Sequence, residues 1–545
     1  MIYLAFVNYL IIISIFGYSY LLKSVIFKNK DNNIFNHDFF YGLIFLYFLS
    51  ILAHIFLPLK FFTNIVLILG LIIFILLLIK KKIKISLTKY ALIVFIFSII
   101  SYYGLDNVDS PLYHLQIIKW MYEHKLTFGL ANLEYRLGVN YPWYSIISLI
   151  NINFLNFSNK YYVSLIIFSF LFYEAINQKK VCKSVIFLSL SLSYLFIFSL
   201  IHPYNYGVVL NHIGNPEKDL FNMLLFIFII YLFLRISESQ EEIFKVNLIS
   251  IMLICMTILL MQMPIYFFLL INLVIIYIKF VKVRDYTLLI LLLVIISILW
   301  MLKSIAINGC LVFPINFTCL NTEWTIDLSF LNYMVDETKR YSRSLPSLQM
   351  LNDNYRTLET FLWLKPWLKN YFLTTAMHQI NLLIYIFSII LIIYLILKKK
   401  FKLILTDTVL FTSILLVNLI CIIIIPEIRY YWGPHISLSI FLLTIVIFSM
   451  NINITRNRNF YSACLLLPLF LFIFFKVYPK IEIKDLVVLP ERAHDFSKKK
   501  KLGIFNGFEV FTNSWQCADM KEICVNIPKE NYNFIIKNTY LIIKN

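Results

Sequence analysis

Charge is what this chain has least of. Asp, Glu, Lys and Arg make up 14% of its 545 residues, against about 25% in ordinary soluble proteins, so the polar material needed to coat a water-facing globule is missing. A soluble enzyme is excluded. Acid is scarcer than base, with 29 Asp and Glu against 48 Lys and Arg and a formal net charge of +19. The basic residues nevertheless form no single stripe of the kind nucleic acid requires, and no nucleic-acid partner is expected. Twelve Gly and fifteen Pro are too few for a flexible low-complexity chain. No Gly-rich phosphate loop is present, which leaves a nucleotide-driven pump or a cytosolic nucleotide-sugar enzyme without a site.

Apolar residues fill the rest: the chain is 61% hydrophobic with a mean hydropathy of +0.81. Apolar runs lie near 1–22, 39–58, 62–79, 90–103, 184–201, 220–235, 246–262, 264–279, 286–304, 379–397, 403–425, 436–450 and 460–477, most of them close to the ~20 residues that cross a bilayer as a helix. One more crossing is expected within 141–176, where two apolar pieces are split by Asn156, Ser158, Asn159 and Lys160; one piece is expected to be interfacial or re-entrant. The stretch before Lys23 has neither a basic n-region nor a small-residue cleavage site and reads as a retained first helix. The expectation is an all-α polytopic membrane protein of about fourteen transmembrane helices.

Orientation follows from Lys and Arg, which stay on the cytoplasmic side. The clusters are Lys23/Lys28/Lys30, Lys80 to Lys84, Lys179/Lys180/Lys183, Arg235/Lys245, Lys279/Lys282/Arg284, Lys398/Lys399/Lys400/Lys402 and Arg456/Arg458. Placing all of them inside puts both termini outside, and with them the polar segments 104–140, 202–219, 305–378 and 426–435. It divides the chain into a transmembrane domain, 1–477, and an extracytoplasmic tail, 478–545. The tail is expected to be a small α/β appendage, too short for a core of its own and so docked on the membrane part. Of eight Cys, four form two local pairs on this outer face, Cys310/Cys319 and Cys517/Cys524. Both suit disulfides in an oxidising compartment, the alternative being thiols placed there by chance, and neither has the spacing of a zinc site.

The first outer segment carries the scarce acids. Asp106 and Asp109 emerge just after a membrane helix and fall on one side of a turn at the bilayer surface, where a carboxylate is either solvated or employed. A surface helix is expected from Pro111 to Phe128, with Leu115, Ile118, Met121 and Tyr122 at helical spacing and His114, Lys119, Glu123, His124 and Lys125 between them, lying flat in the interface. Plainer readings stand beside these. Asp109 before Ser-Pro, and Asp219 at the mouth of the next helix, are ordinary N-caps; His114 is solvated; Arg429 beside Tyr430, Tyr431 and Trp432 snorkels at the interface.

The order Asp109, Tyr113-His114, Trp120, Glu123, the stretch Gly-Leu-Ala-Asn-Leu from Gly129, then Arg136, Asn140 and Trp143 resembles membrane glycosyltransferases of the GT-C type. More narrowly, it is similar to an uncharacterised bacterial membrane-protein family of surface-polysaccharide loci. In such enzymes the first catalytic acid lies in the first large outer loop and a second acidic motif in the next, here Gly214-Asn215-Pro216-Glu217-Lys218-Asp219. Weaker matches are Trp300, Lys303, Asn308-Gly309-Cys310, Pro314, Cys319 and Trp324, the segment Pro426-Glu427-Ile428-Arg429-Tyr430-Tyr431, and the Cys517/Cys524 tail. Lys303 stands where the family has Arg.

The resemblance implies a GT-C-like core in the cytoplasmic membrane of a bacterium. It would transfer a sugar from a polyprenyl-phosphate-linked donor to a hydroxyl of a glycan, lipid or protein on the extracytoplasmic face. Such a reaction needs a base for the acceptor proton and positive charge for the leaving phosphate. Asp109 is the expected base, with Asp106 as neighbour and Asp219 from the second motif. Arg429, then Lys303, Arg136 and His435, are the expected phosphate-binding groups, and His114 is expected to orient the sugar. No cofactor is fixed by the sequence; a divalent ion shared by Asp106, Asp109 and Asp219 would suit oxygen-ligand chemistry.

Two other functions compete. A transporter or flippase for a lipid-linked glycan requires ionisable residues along the middle of its helices, and the helices here carry few. A polysaccharide polymerase would depend on Arg-rich outer loops, for which Arg136, Arg340, Arg343 and Arg356 are available.

Overall fold

A computed structural model of the protein describes residues 1–27, 33–104, 109–154, 157–178, 181–201, 209–266, 286–344, 361–398, 405–450, 458–482, 499–513, 523–525, 533–537 and 540–544, with 485, 517 and 520. The chain is an all-α multi-pass membrane protein. Ten described helices are long and apolar enough to cross a membrane, and three shorter apolar helices accompany them. In chain order the helices are α1 (Ile2–Phe27), α2 (Phe39–Phe56), α3 (Thr63–Ile79), α4 (Leu87–Tyr102), α5 (Leu115–Glu123), α6 (Pro142–Leu149), α7 (Ser164–Asn177), α8 (Lys183–Ile201), α9 (Lys218–Glu238), α10 (Glu242–Gln262), α11 (Thr287–Asn308), α12 (Leu328–Ser344), α13 (Ala376–Leu397), α14 (Leu405–Ile424), α15 (Ile428–Met450) and α16 (Arg458–Phe472). Most of the apolar run at 264–279 lies outside the described residues.

Side-chain pattern sorts these helices by depth in the bundle. α9 is apolar all round and buried along almost its whole length, as a helix with no polar face must be. α11 instead buries Leu289, Leu293, Ile296 and Trp300 at helical spacing and leaves Leu288, Ile290, Leu291, Val294, Ile295, Ile298 and Leu302 uncovered, a stripe for lipid. Where α1 crosses α3, a Cβ on Gly17 would lie 2.1 Å from the carbonyl oxygen of Gly70. The two backbones approach this closely only because both residues are small.

The ends of the bundle are polar and distinct. At one, the N-terminal amine of Met1 donates to the Asp485 carbonyl (2.9 Å) and Tyr103, at the exit of α4, donates to the Asp485 carboxylate (2.7 Å). The start of α1, the end of α4 and the root of the tail therefore share one end of the bundle. At the other, Lys23 pairs with Asp38 (2.9 Å) and Lys183 with Asp407 (2.6 Å).

In the segment 141–176, α6 is short and wholly buried, a two-residue-per-strand hairpin follows (β1, Asn153–Phe154; β2, Phe157–Ser158), and α7, a shorter apolar helix, runs between the two ends of the bundle. Ser164 at the start of α7 bonds the Asn215 carbonyl (2.9 Å), whereas Glu174 near its end takes Asn36 (2.7 Å) and Tyr231 (2.8 Å) at the far side.

The expected surface helix differs from the structure. It begins as a π-helical turn, Ser110–His114, and continues as α5 only to Glu123, with Leu115 to Met121 all buried. Two of its nominally polar residues are covered by protein: Lys119 donates to the Met520 carbonyl of the tail and His114 is enclosed, while Glu123, His124 and Lys125 stay half-buried. The tail is built of strands, with no α-helix among its described residues. β3 (Lys500–Phe505) and β4 (Phe508–Thr512) form a hairpin, β5 (Ile523–Cys524) joins β4 in parallel, and β6 (Asn533–Lys537) pairs with β7 (Tyr540–Lys544). β7 docks on the first loop: Phe128 N–H donates to Leu541 O and Ile543 N–H to Phe128 O, both at 2.9 Å. Gly129 follows with φ +68°, and its Cα lies so near that an added Cβ would sit 2.1 Å from Ile543 O. Both cysteine pairs are joined, Cys310 to Cys319 and Cys517 to Cys524.

Candidate functional site

Three segments meet at the end of the bundle that holds the tail. The first is the exit of α4. The second, residues 209–217 before α9, is fastened to it, because Ser101 Oγ donates to Ile213 O (3.2 Å) and Ser110 Oγ to Asn215 Oδ1 (3.3 Å). The third is the start of α15. Its Pro434 has no N–H for the carbonyl one turn earlier, and the Tyr266 hydroxyl donates to that carbonyl, Tyr430 O, at 2.9 Å. The turn is opened further at Tyr431, whose φ of −123° is non-helical. Trp367 Nε1 donates to Pro426 O (3.0 Å) and Ile428 N–H to the Tyr371 hydroxyl (3.2 Å), so the outer segment 361–372 grips the turn by its backbone.

On this frame Arg429 is held between two carboxylates. Its Nη1 pairs with Asp109 Oδ2 and its Nε lies 2.5 Å from Glu427 Oε1. Asp109 occupies the cap position of its turn but makes no side-chain cap, so its carboxylate serves Arg429 and not the helix end. Asp219 is likewise no cap: it pairs with Lys218 (2.7 Å), whose ammonium lies 4.8 Å from the Tyr141 ring and 5.3 Å from the Tyr430 ring. Glu217 pairs with His212. The side chains of Arg429 and Asp109 keep 25% and 18% of their surface exposed, against 10% for Glu427 and 5% for Asp219, so a ligand would reach the Asp109–Arg429 pair first.

Burial and mutual charge set the protonation of the groups outside the membrane-spanning segments. Burial pushes the Glu427 carboxyl up to about 7, with Asp219 and Asp109 adding to the effect and Arg429 opposing it. Burial pulls His114 down to about 4 against the pull of Asp109, Glu217 and Asp219, so its imidazole is neutral at neutral pH. It is enclosed by Tyr113 (4.3 Å between ring centres) and Tyr144 (5.4 Å), with neither ring nitrogen hydrogen-bonded. For His212 and Glu217 burial works against charge, but their contact outweighs it, raising the imidazole and lowering the carboxyl.

Asp109, Asp219 and Arg429, drawn from three distant parts of the chain, thus converge, and His114 joins them. Arg136 borders the cluster, its guanidinium 5.9 Å from the Tyr113 ring and 4.0 Å from Glu134. Two expected phosphate ligands lie elsewhere. Lys303 faces α6 and bonds Ser145 Oγ (2.7 Å). His435, about two turns into α15, lies against Tyr385 and Asn418 (each 3.4 Å). Helix packing turns both away from the acids. Asp106 lies outside the described residues. Among the described residues no group of three His, Cys, Asp or Glu is placed to hold a metal ion; Asp109 is engaged by Arg429 and Asp219 by Lys218. Glu427, Glu217, Lys218 and His212 carry no expected role from sequence, although both acids stand within the motifs 214–219 and 426–431.

The fold and this cluster define a polytopic helical membrane protein with mixed, buried charge gathered at one end of the bundle. The chain belongs to the family described as "Domain of unknown function (DUF8201)", whose model matches residues 1–436 and so takes in every residue of the cluster. No curated protein and no solved structure matches it.

Proposed function

We propose that the protein is an integral membrane glycosyltransferase that moves a sugar from a polyprenyl-phosphate-linked donor to a hydroxyl acceptor on the extracytoplasmic face. The observation that carries this reading is the shared guanidinium: Arg429 pairs with Asp109 and Glu427 at once, next to Asp219 and Lys218, at an end of the bundle within reach of the membrane surface. A planar guanidinium suits phosphate because it binds two oxygens together. On arrival the donor phosphate takes Arg429 and releases Asp109. The freed carboxylate accepts the proton of the acceptor hydroxyl while its oxygen bonds to the anomeric carbon. The bond from that carbon to the phosphate oxygen breaks, the oxygen keeps both electrons, and Arg429 holds the charge that develops there. Neutral His114 and the rings of Tyr113 and Tyr144 line the adjoining wall. The test is transfer of radiolabelled sugar from polyprenyl-phosphate donors by the purified protein, wild type against Asp109→Asn. Full turnover by the variant removes Asp109 as the base, and absence of transfer from every donor by the wild type removes the reaction.

A further inference from the structure

Among the described residues the cluster carries one more carboxylate than its cations balance. Asp109, Glu217, Asp219 and Glu427 face Arg429, Lys218 and His212, His114 being neutral, with the rings of Tyr141 and Tyr430 against Lys218 and those of Tyr113 and Tyr144 against His114. An anionic ligand entering here adds a further negative charge to a site with little water to screen it. Charge balance then requires a proton, and geometry selects its place. Asp109 is the outermost acid and is displaced into the exposed part of the site. Asp219 keeps Lys218, and Glu217 keeps His212. Glu427 alone shares its cation with the incoming phosphate, and the backbone on either side of it is fixed by Trp367 and Tyr371, so it stays beside the ligand.

We propose that Glu427 is a phosphate-contacting residue that acts as a carboxylic acid, so that a phosphate ester binds at Arg429 together with one proton taken up on Glu427. In that form the carboxyl donates a hydrogen bond to a phosphate oxygen, where a carboxylate would repel it. The groups that face Glu427 are Arg429 and Tyr430 on its own turn, Asp109 from the first loop, Asp219 from α9, Tyr371 from the outer segment and Tyr431 behind it. Burial, which already raises this carboxyl to about 7, places the exchange in an accessible range.

The inference rests on the phosphate-binding half of the proposed function and not on sugar transfer. Its test uses the full-length protein in detergent and methyl farnesyl phosphate, a diester whose single charge does not change with pH, with dimethyl phosphate to separate lipid from headgroup. Affinity should fall roughly 25-fold between pH 6.5 and 8.5 as a carboxyl of pKa about 7 loses its proton, and calorimetry in buffers of different ionisation heat should register close to one proton taken up at pH 8.5 and about a quarter of one at pH 6.5. Glu427→Gln, whose amide keeps a donor at all pH, should bind with no pH dependence and more tightly than wild type at pH 8.5, whereas Glu427→Ala should bind weakly throughout. A flat wild-type profile, or a Gln variant no better than the Ala variant at pH 8.5, overturns the inference even if sugar transfer is found. Proton-linked binding without any transfer upholds it and sinks the reaction alone.

Discussion

Arg429 and Asp109 stand 320 positions apart in the chain and meet through one guanidinium nitrogen and one carboxylate oxygen. The pair makes opposite predictions for its two members. Asp109→Asn removes a competitor for the guanidinium, so the affinity for a phosphate lipid should hold or rise while sugar transfer falls by about 100- to 10,000-fold, the range for loss of a general base. Arg429→Lys keeps the charge but loses the planar fork, so affinity should fall by roughly tenfold or more. Binding of methyl farnesyl phosphate and turnover, measured on both variants, check the split. Equal losses of binding in both would mean that Asp109 contacts the ligand directly.

His212 and Glu217 make the site's stability depend on pH. The imidazole is raised above its ordinary 6.5, so its contribution is complete below that value and lost as pH rises through the raised one. The carboxyl is lowered from 4.5, so its contribution is present above that value and lost only as pH falls through the depressed one. Together they favour the range between mildly acid and neutral. Thermal unfolding of the wild type should therefore occur at lower temperature near pH ~9 than near pH ~6, and His212→Gln should flatten that difference. An unchanged alkaline drop in the variant would assign it to other groups.

Crossings were legible in the sequence because an apolar run of bilayer length has few other uses, and Asp109, Asp219 and Arg429 were legible because charge at a helix mouth is rare in a chain this apolar. What a linear sequence does not carry is rotation about a helix axis. Lys303 lies a little over one turn from the end of α11, near enough to the surface to be an expected phosphate ligand, yet it faces Ser145. His114 sits on a helix whose pattern reads as amphipathic, but packing on α6, where Ser148 donates to Ile118 O (3.2 Å) and the Tyr144 ring stands 5.4 Å from His114, together with the Lys119 contact to the tail, makes that helix interior. Glu427 was visible two positions before Arg429, but its importance comes from burial beside a cation that another acid already holds.

Gly129 is the point at which tail and loop are joined, and its backbone leaves no room for a side chain. Ala at φ +68° would be strained, and its Cβ would stand 2.1 Å from Ile543 O, the same oxygen that accepts from Asn132 Nδ2 at 2.9 Å. Gly129→Ala should release β7 at a cost of about 1–3 kcal/mol. Limited proteolysis of the tail in detergent should then proceed faster than in wild type while the transmembrane fragment persists. Equal rates would show that the tail is held mainly elsewhere.

At the opposite end of the bundle, Lys23 is buried with a single carboxylate. Asp38 takes the Lys23 ammonium and the Phe35 N–H on one oxygen and Asn247 Nδ2 on the other, all at 2.9 Å, and Tyr41 closes the chain by donating to Asn247 Oδ1 at 2.9 Å. Side-chain exposure is 4% for Lys23 and 0% for Asp38, so neither charge has water to fall back on. A buried pair of this kind contributes little relative to apolar residues of the same size, but removing one partner strands the other. Asp38→Asn should destabilise the protein by about 3–5 kcal/mol, whereas Lys23→Met with Asp38→Leu should recover most of that loss. The measurement is thermal unfolding of the wild type, Asp38→Asn and the double variant in detergent. If Asp38→Asn unfolds at the wild-type temperature, the Lys23 ammonium has another counter-charge or is not charged, and the network does not tie α1 to α2 and α10 in the way described.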